Sequence, residues 1–332
     1  ENKFFVADTV LSWQLGYDGL VISPADRNFV GFFPMKGKSN YRVLGTLPNE
    51  YFEKKDITFN DIEKVIIETL GIDVTFEKVN WLSIYNLHHR RVDEFRAGNA
   101  FVAGDAAHIH SPAGGQGMNT GLQDAYNIAW KLAFVIKGYA KNELLDTYNE
   151  ERLPFAKWLM SFTDRGFNIL TSDRWFLAFL RKHFASKMVG IITELKWFRP
   201  RAFKILSQIG YSYHGMSLSG SSTAQKLKFK SGDRLPYVVD EISSKSIYHL
   251  FTKPSFSLLH IGKEQLDIGM WNKIKSSFPF PVELVEDKIE NWSKNGVKKD
   301  LYILVRPDNY ILYLSDSLDA LLIKEHLSRY FL

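Results

Sequence analysis

Phe101-Val102-Ala103-Gly104-Asp105-Ala106-Ala107-His108, continued by Ser111-Pro112-Ala113-Gly114-Gly115-Gln116-Gly117-Met118-Asn119-Thr120-Gly121, is the stretch whose reading decides the fold. Phe101, Val102 and Ala103 have the size and polarity of an interior parallel strand. Asp105 stops that apolar run at the strand's carboxyl end, where open α/β sheets place ligands. Gly104 allows a close backbone approach, and four glycines within eight residues (Gly114, Gly115, Gly117 and Gly121) leave main-chain N–H groups bare. Beyond them Met118, Leu122, Ala125, Ala129, Leu132 and Ile136 recur at three- and four-residue steps. That spacing predicts a long amphipathic helix stopped at Gly138. The first turn of such a helix points free N–H groups and a partial positive charge back at the glycine loop, which suits an oxygen carrying negative charge. A lone Gly-Asp pair would read as a capped turn. The whole ordered run reads as a grip with a carboxylate on one side and an anion-stabilising helix end on the other.

Gly104-Asp105-Ala106-Ala107-His108, then Pro112, then Gly115-Gln116-Gly117-Met118-Asn119-Thr120-Gly121, then Asp124-Ala125-Tyr126-Asn127-Ile128-Ala129-Trp130-Lys131-Leu132 resembles the second flavin-binding motif of the FAD-dependent aromatic hydroxylases. These are single-component flavoprotein monooxygenases similar to p-hydroxybenzoate hydroxylase and phenol hydroxylase. Arg96-Ala97-Gly98-Asn99 departs from the Gly-Arg that the family usually carries before the strand. The resemblance implies FAD as cofactor, held by Gly104, Asp105, Pro112, Gly115, Gly117, Met118 and Asn119. Asp105 would accept hydrogen bonds from the ribityl chain, and the N–H groups of Met118 and Asn119 would stabilise negative charge on the flavin's pyrimidine edge. Pro112 and the glycines would let the loop lie flat beside the ring. NAD(P)H as co-substrate would reduce the flavin, and O2 would give a flavin hydroperoxide whose distal oxygen passes to a phenol-like or polycyclic aromatic ring. The chemistry is the cofactor's, and no side chain stands out as a general base, so no catalytic residue is named.

Length and charge fit that reading. A chain of 332 residues is expected to hold two or three domains. Its net charge of +5 comes from scattered Lys and Arg, so no nucleic-acid stripe is expected. There is no cysteine, which removes disulfides, Cys-ligated zinc and thiol redox chemistry. No apolar run approaches the length of a membrane span, and Glu1-Asn2-Lys3-Phe4-Phe5-Val6 has no initiator Met and no signal-peptide pattern. A cytoplasmic enzyme is expected, with a small aromatic substrate and O2; a homodimer is one assembly open to it, and the sequence does not fix the oligomeric state.

The fold class expected is mixed α/β: a Rossmann-like FAD-binding domain with an antiparallel-sheet substrate domain and a C-terminal thioredoxin-like domain. Residues 1–95 are assigned to the second half of the substrate domain, 96–160 to the flavin-binding segment, 161–225 to helices and a linker, and 226–332 to the last domain. Strands are expected at Phe4 to Trp13, Leu20 to Ile22, Phe29 to Phe33, Tyr41 to Leu47 and Val74 to Leu87. A helix is expected at Phe59 to Leu70, buried through Ile62, Val65, Ile66 and Leu70 and closed by Gly71. Phe32-Phe33-Pro34 with Tyr41-Arg42 reads equally as a family segment or as sheet core with a surface charge. Period-two alternation puts Ser83, Tyr85, Leu87, His89 and Arg91 on one face, and the resemblance makes Tyr85, His89 and Arg91 candidate substrate-pocket residues. The pairs His88-His89 and His108/His110 lack the helical spacing and acidic partner of a zinc site, so no metal is expected.

The motif at Gly115 is not the dinucleotide fingerprint, because its last glycine is one residue late, and no other G-x-G-x-x-G occurs. The βαβ unit that holds the ADP half of FAD in the family is thus expected to be absent, with this chain as the C-terminal part of such an enzyme. Phe101 to Ala103 would then be an unpaired edge, and the Met118 helix would expose part of its apolar stripe. Leu144 to Pro154 reads as a scaffold helix locked by polar contacts. Residues 155–215 read as helical, with Trp175, Phe176, Phe179, Leu180, Phe184, Met188, Ile191 and Leu195 at helical steps. Ser217 to Thr223 reads as a flexible linker. The last domain, without Cys-x-x-Cys, has a structural or assembly role. Two alternatives stand beside the monooxygenase: a halogenase or reductase of the same architecture, and a non-catalytic truncated module.

Overall fold

The computed structural model describes residues 3–17, 19–24, 29–86, 88–109, 115–171, 195–240 and 243–332. These form two compact units, one comprising Glu1–Arg91, Ile109–Gly115 and Trp158–Arg201, the other Val92–His108, Gln116–Lys157 and Ala202–Leu332.

In the first unit five strands, β1 (Lys3–Trp13), β2 (Val21–Pro24), β3 (Phe29–Pro34), β4 (Asn40–Thr46) and β5 (Val74–Asn86), form an antiparallel sheet ordered β2-β3-β4-β1-β5. Alternation along the strands sends Phe5, Leu11, Val30, Phe32, Tyr41 and Val43 to one face, where α1 (Phe59–Leu70) covers them with Ile62 and Ile66. The helix ends where expected: Gly71 takes the left-handed conformation, φ 63°, that only glycine adopts cheaply. Asp8 and Arg42 lie opposite each other in the β1–β4 register and pair at 2.8 and 2.9 Å, with Arg42 half exposed. Phe32 and Tyr41 are buried in the sheet, whereas Phe33, Pro34 and Arg42 are exposed. Tyr85 stacks on Phe4 with ring centroids 5.8 Å apart.

The second unit begins with a hairpin of β6 (Arg96–Ala97) and β7 (Ala100–Phe101). Here the expected interior strand over Phe101–Ala103 is corrected. Only Ala100 and Phe101 pair, and they pair antiparallel. Val102 donates its N–H to the Phe95 carbonyl at 3.0 Å and accepts the Tyr148 hydroxyl at 2.8 Å, so local partners satisfy its backbone. The side chain of Arg96 braces the hairpin through Gly98, Asn142 and Asp146.

Then comes α2 (Gly117–Ile136), with Gly138 at φ 72° just beyond its end. Met118, Leu122 and Ile136 are 76%, 63% and 80% exposed, so the apolar stripe is largely outside. The buried face instead carries Thr120, Asp124, Asn127 and Lys131 beside Ile128, Trp130 and Phe134. Periodicity located this helix. Its core-facing side is set by paired charges.

After α2 runs α3 (Asp146–Thr171), and a further helix, α4, spans Phe198–Leu206. Of the apolar residues expected at helical steps, Leu195 is described and exposed, and Trp175, Phe176, Phe179, Leu180, Phe184, Met188 and Ile191 lie outside the described residues.

The chain closes with a sheet of β8 (Gly220–Ser221), β9 (Phe256–Gly262), β10 (Val282–Lys288), β11 (Leu301–Val305) and β12 (Ile311–Ser315), ordered β8-β12-β11-β9-β10. Strands β9 and β10 run parallel, β9 and β11 antiparallel, β11 and β12 antiparallel. Trp130 and Phe134 of α2 join Phe256, Phe280 and Phe331 in one aromatic core, so helix and sheet share an interior. The expected linker is also corrected. Ser217 is held by Glu150, Ser222 by Ser315 and Thr223 by Asp316, because hydroxyls and N–H groups there find fixed acceptors.

A substitution tests the first unit's packing. A Cβ at the buried Gly45 of β4 would stand 2.9 Å from the Phe29 carbonyl oxygen and strike the Phe5 ring. Gly45→Ala is expected to lower stability by about 1–3 kcal/mol, read as a lower urea midpoint with an unchanged slope.

Candidate functional site

The glycine-rich motif is organised around a carboxylate that sequence reading left without a role. Asp124, on the inner face of α2, is fully buried and accepts three hydrogen bonds. They come from the Gly104 N–H at 3.1 Å, from His108 Nε2 at 2.8 Å and from Arg152 Nε at 2.6 Å. An ionised carboxylate only accepts, so Nε2 of His108 carries the proton. Burial pushes the Asp124 carboxyl up, but the His108 hydrogen bond and the Arg152 charge outweigh it and hold it below the usual range. Arg152 extends the chain to the Tyr213 hydroxyl at 3.0 Å and lies 4.3 Å from the Phe155 ring centroid.

Asp124 thereby docks the turn that carries Asp105 against α2. Gly104 adopts φ 58°, and a Cβ on it would meet the Gly121 Cα at 3.4 Å. A Cβ on Gly121 would meet the Gly104 Cα at 3.3 Å. The close approach anticipated for Gly104 is therefore made to Gly121, one turn into α2. Asp105 follows in a single 3-10 turn (Gly104–Ala106) with its side chain exposed. Gly117, Met118 and Asn119 form the first turn of α2, whose N–H groups have no acceptor within the helix. Below that turn Gln116 is buried. Its Nε2 donates to the Leu206 carbonyl at 2.9 Å and its Oε1 accepts from Gln208 Nε2 at 2.7 Å, and the same nitrogen reaches Thr120 Oγ1 at 2.7 Å. The helix start is thus rigid from beneath and open above.

The structure brings Gly104, Asp105, Gly117, Met118 and Asn119 together in the second unit. Gly115, exposed at φ 62° with open space at its Cα, belongs to the first unit, and Pro112 lies outside the described residues. The expected shared face of Tyr85, His89 and Arg91 is corrected: β5 stops at Asn86, so no continuous strand carries the alternation to Arg91. Tyr85 is half-buried, His89 is exposed and Arg91 lies in a two-residue strand, Arg90–Arg91. His108 pairs with Asp124, and among the described residues no three His, Cys, Asp or Glu side chains gather as metal ligands.

A second buried ionic cluster lies further along α2 and centres on Glu151, within the Leu144 to Pro154 segment that the sequence reads as a helix locked by polar contacts. Glu151 accepts from Asn127 at 2.7 Å, Lys131 at 2.8 Å and Arg306 at 2.5 and 2.9 Å. Arg306 also pairs with Asp308, which takes the Trp130 indole N–H at 3.1 Å. The signal was present as Asn127 and Lys131 one helical turn apart facing Glu151 and Arg152, but it reads equally as a solvated face.

Residues 9–163 match the family model of the FAD binding domain. Over 288 residues the chain is 29% identical to a flavin-dependent monooxygenase of Mycobacteroides abscessus, covering 85% of this chain and 51% of that protein. Over 157 residues it is 55% identical to the 6-methylpretetramide 4-monooxygenase of Streptomyces rimosus, 47% of this chain and 28% of that one. Its fold matches the OxyS anhydrotetracycline hydroxylase from Streptomyces rimosus at a TM-score of 0.70 and 25% identity, covering 99% of this chain and 63% of the other. The chain spans about half the length of the Mycobacteroides relative.

The ionic cluster predicts contrasting variants. Burial raises the Glu151 carboxyl, yet Arg306 and then Lys131 hold it down at about 2. Burial lowers the Lys131 amine to about 8, because it shares Glu151 with a guanidinium that keeps its proton. The Glu151 contribution is therefore complete above about pH 4.5 and lost as pH falls toward 2, whereas stability from Lys131 rises between about pH 8 and 10.5 as its buried charge is released. Glu151→Gln is expected to cost about 3–5 kcal/mol and to flatten the acid limb of a stability-against-pH curve. Lys131→Met is expected to change stability by less than about 1 kcal/mol at pH 7 and to abolish the rise above pH 8. Urea titrations from pH 3 to 10 measure both.

Proposed function

We propose, for a chain whose residues 9–163 match the family model of the FAD binding domain, the work of a flavoprotein monooxygenase that hydroxylates an electron-rich aromatic ring. The observation that carries this reading is the exposed Asp105 standing on a glycine turn docked by Asp124 beside the open first turn of α2.

The residues present fit the flavin. The Gly104–Gly121 approach leaves no Cβ between turn and helix, so backbone groups rather than side chains face outward there. Asp105 offers a carboxylate acceptor for ribityl hydroxyls. Met118 and Asn119 offer main-chain N–H groups, reinforced by the positive end of a 20-residue helix, to the oxygen-bearing pyrimidine edge. Bound FAD supplies two-electron chemistry with O2, so that an aromatic C–H, O2, NAD(P)H and a proton become a phenol, water and NAD(P)+. The chain's task is to hold and orient. Asp124 keeps the turn and helix in register, and the helix N–H groups favour the anionic form of the ring by preorganised donors.

Relatives whose names give 6-methylpretetramide and pentachlorophenol as substrates support a polycyclic or phenol-like substrate here. Tyr85, His89 and Arg91 stay the proposed substrate-side residues, all in the first unit. For the closing sheet, the order β10-β9-β11-β12, with β9 and β10 parallel and the other two of these pairings antiparallel, supports the thioredoxin-like reading, with a structural role since the chain has no cysteine. Among the described residues no helix is long and apolar enough to cross a membrane.

Asp105→Ala is expected to weaken FAD binding roughly ten- to a hundredfold, the worth of a charge-assisted hydrogen bond of about 1.5–3 kcal/mol. Flavin fluorescence titration of parent and variant reads this. Equal affinities would remove Asp105 from the site.

A further inference from the structure

Away from the glycine turn, a cavity of about 690 Å³ opens between the end of α4 and the stretch from Lys228 to Tyr237. Its lining includes Lys204, Lys228, Asp233, Arg234, Tyr237 and Tyr248, all in the second unit. Lys204, Lys228 and Tyr237 are exposed and Arg234 is half-buried, so these groups stand open to an entering ligand. Among the described residues none of the three cations makes an ion pair. Asp233, the one carboxylate of the lining, spends Oδ2 on the Lys230 N–H at 2.8 Å. The wall therefore carries an excess of two positive charges. Like charges gathered around a concavity repel one another and draw anions into it.

These groups are held from behind. The Arg234 backbone bridges Tyr310, and its guanidinium carbon lies 6.0 Å from that ring's centroid. The neighbouring Tyr248 hydroxyl donates to the Leu235 carbonyl. Burial pushes this hydroxyl up and the Arg234 charge beside it pulls it down, which places the guanidinium close to the phenol oxygen. Lys228 gives its N–H to the Asn295 carbonyl at 2.9 Å, and the Lys204 carbonyl takes the Gly210 N–H at 3.2 Å. Tyr237 is 73% exposed, yet Leu235 and Val238 on either side of it are buried in the sheet's core. Leu235 donates to the Asn309 carbonyl at 2.9 Å and Val238 accepts from Ile247 at 2.8 Å, while Pro236 restricts the backbone between them. An aromatic ring is thereby fixed in solvent, its plane 22° from that of Tyr248 at a centroid distance of 6.3 Å.

We propose that this cavity binds a nucleoside monophosphate, with the phosphate on Arg234, Lys204 and Lys228 and the base stacked on Tyr237. Charge selects the anion. A carboxylate brings one negative charge, whereas a phosphate monoester carries about −1.5 to −2 at pH 7 and matches the excess of two. The guanidinium fork pairs two phosphate oxygens at once, and the lysines add point charges. The exposed face of a fixed tyrosine receives a base, since every base has a π-face to offer. The volume is that of a small-ligand site. The inference depends neither on the flavin turn nor on the reading of the aromatic substrate.

AMP is the probe, with adenosine as the base without phosphate and inorganic phosphate as the anion without base. Isothermal titration calorimetry in about 0.15 M salt, which screens scattered surface charge, is expected to give a sub-millimolar Kd for AMP and binding about tenfold or more weaker for either fragment. NAD+, whose phosphates are esterified on both sides, is expected to bind about tenfold more weakly than AMP. Tyr237→Ala, at an exposed position, should weaken AMP about tenfold and leave inorganic phosphate unchanged. Arg234→Gln should weaken both about tenfold at an unchanged melting temperature, and Lys228→Gln, also at an exposed position, serves if Arg234→Gln does not fold. Absence of AMP binding at about 5 mM, inorganic phosphate or NAD+ binding as tightly as AMP, or AMP affinity untouched by Tyr237→Ala or by the change of cation would overturn the assignment.

Discussion

The three hydrogen bonds converging on Asp124 hold the second unit in its working arrangement. One carboxylate fixes the Gly104 turn from before α2, the His108 ring that follows that turn, and the Arg152 side chain from α3. None of these partners can be lost without leaving a buried charge or N–H unpaired, at a cost of several kcal/mol. The glycine pair Gly104 and Gly121 is the steric half of the same joint, since the N–H reaches the carboxylate only where backbone packs on backbone. Asp105 is exposed and positioned because Asp124 is buried and saturated.

The same helix is tied at its other end to the closing sheet. Glu151, Arg306, Lys131 and Asp308 balance two negative and two positive charges where almost no water reaches. Trp130 and Phe134 continue the contact with apolar packing against Phe256 and Phe280. A sheet with its own hydrophobic interior thus also serves as a floor for the cofactor-proposed helix. Disturbance of Arg306 would be felt along α2, because the guanidinium lies against Trp130, Tyr213 and Tyr310 as well as Glu151.

The exposed stripe of α2 follows from this division of labour. Polar residues turned inward are stable only when each meets a partner, and here Asp124, Asn127 and Lys131 all do. Residues that would ordinarily form the core, Met118, Leu122 and Ile136, are left on the other side. The unpaired oxygens of Gln123 and Asn127 lie on the buried flank of the same helix, where the ionic cluster has used only the nitrogen of Asn127.

What the sequence determined by itself is local. The strands of the first unit, the helix from Phe59 to Leu70 with its glycine stop, the extent of α2 and the glycine run with Asp105 all follow from periodicities of two and 3.6 and from the backbone freedom of glycine. Those signals lie within a few residues and survive without knowledge of neighbours. The tertiary structure alone decided which face of α2 is inside, that Val102 and Ala103 lie outside any strand, that Ser217–Thr223 is pinned, and that β5 ends before His89. The first three of these depend on a partner far along the chain: Arg152 and Glu151 for the helix face, Tyr148 for Val102, Ser315 and Asp316 for the serine stretch. A buried carboxylate and a solvated one are spelled alike. Only the arrival of Arg152, 28 residues on, made Asp124 the one that is buried.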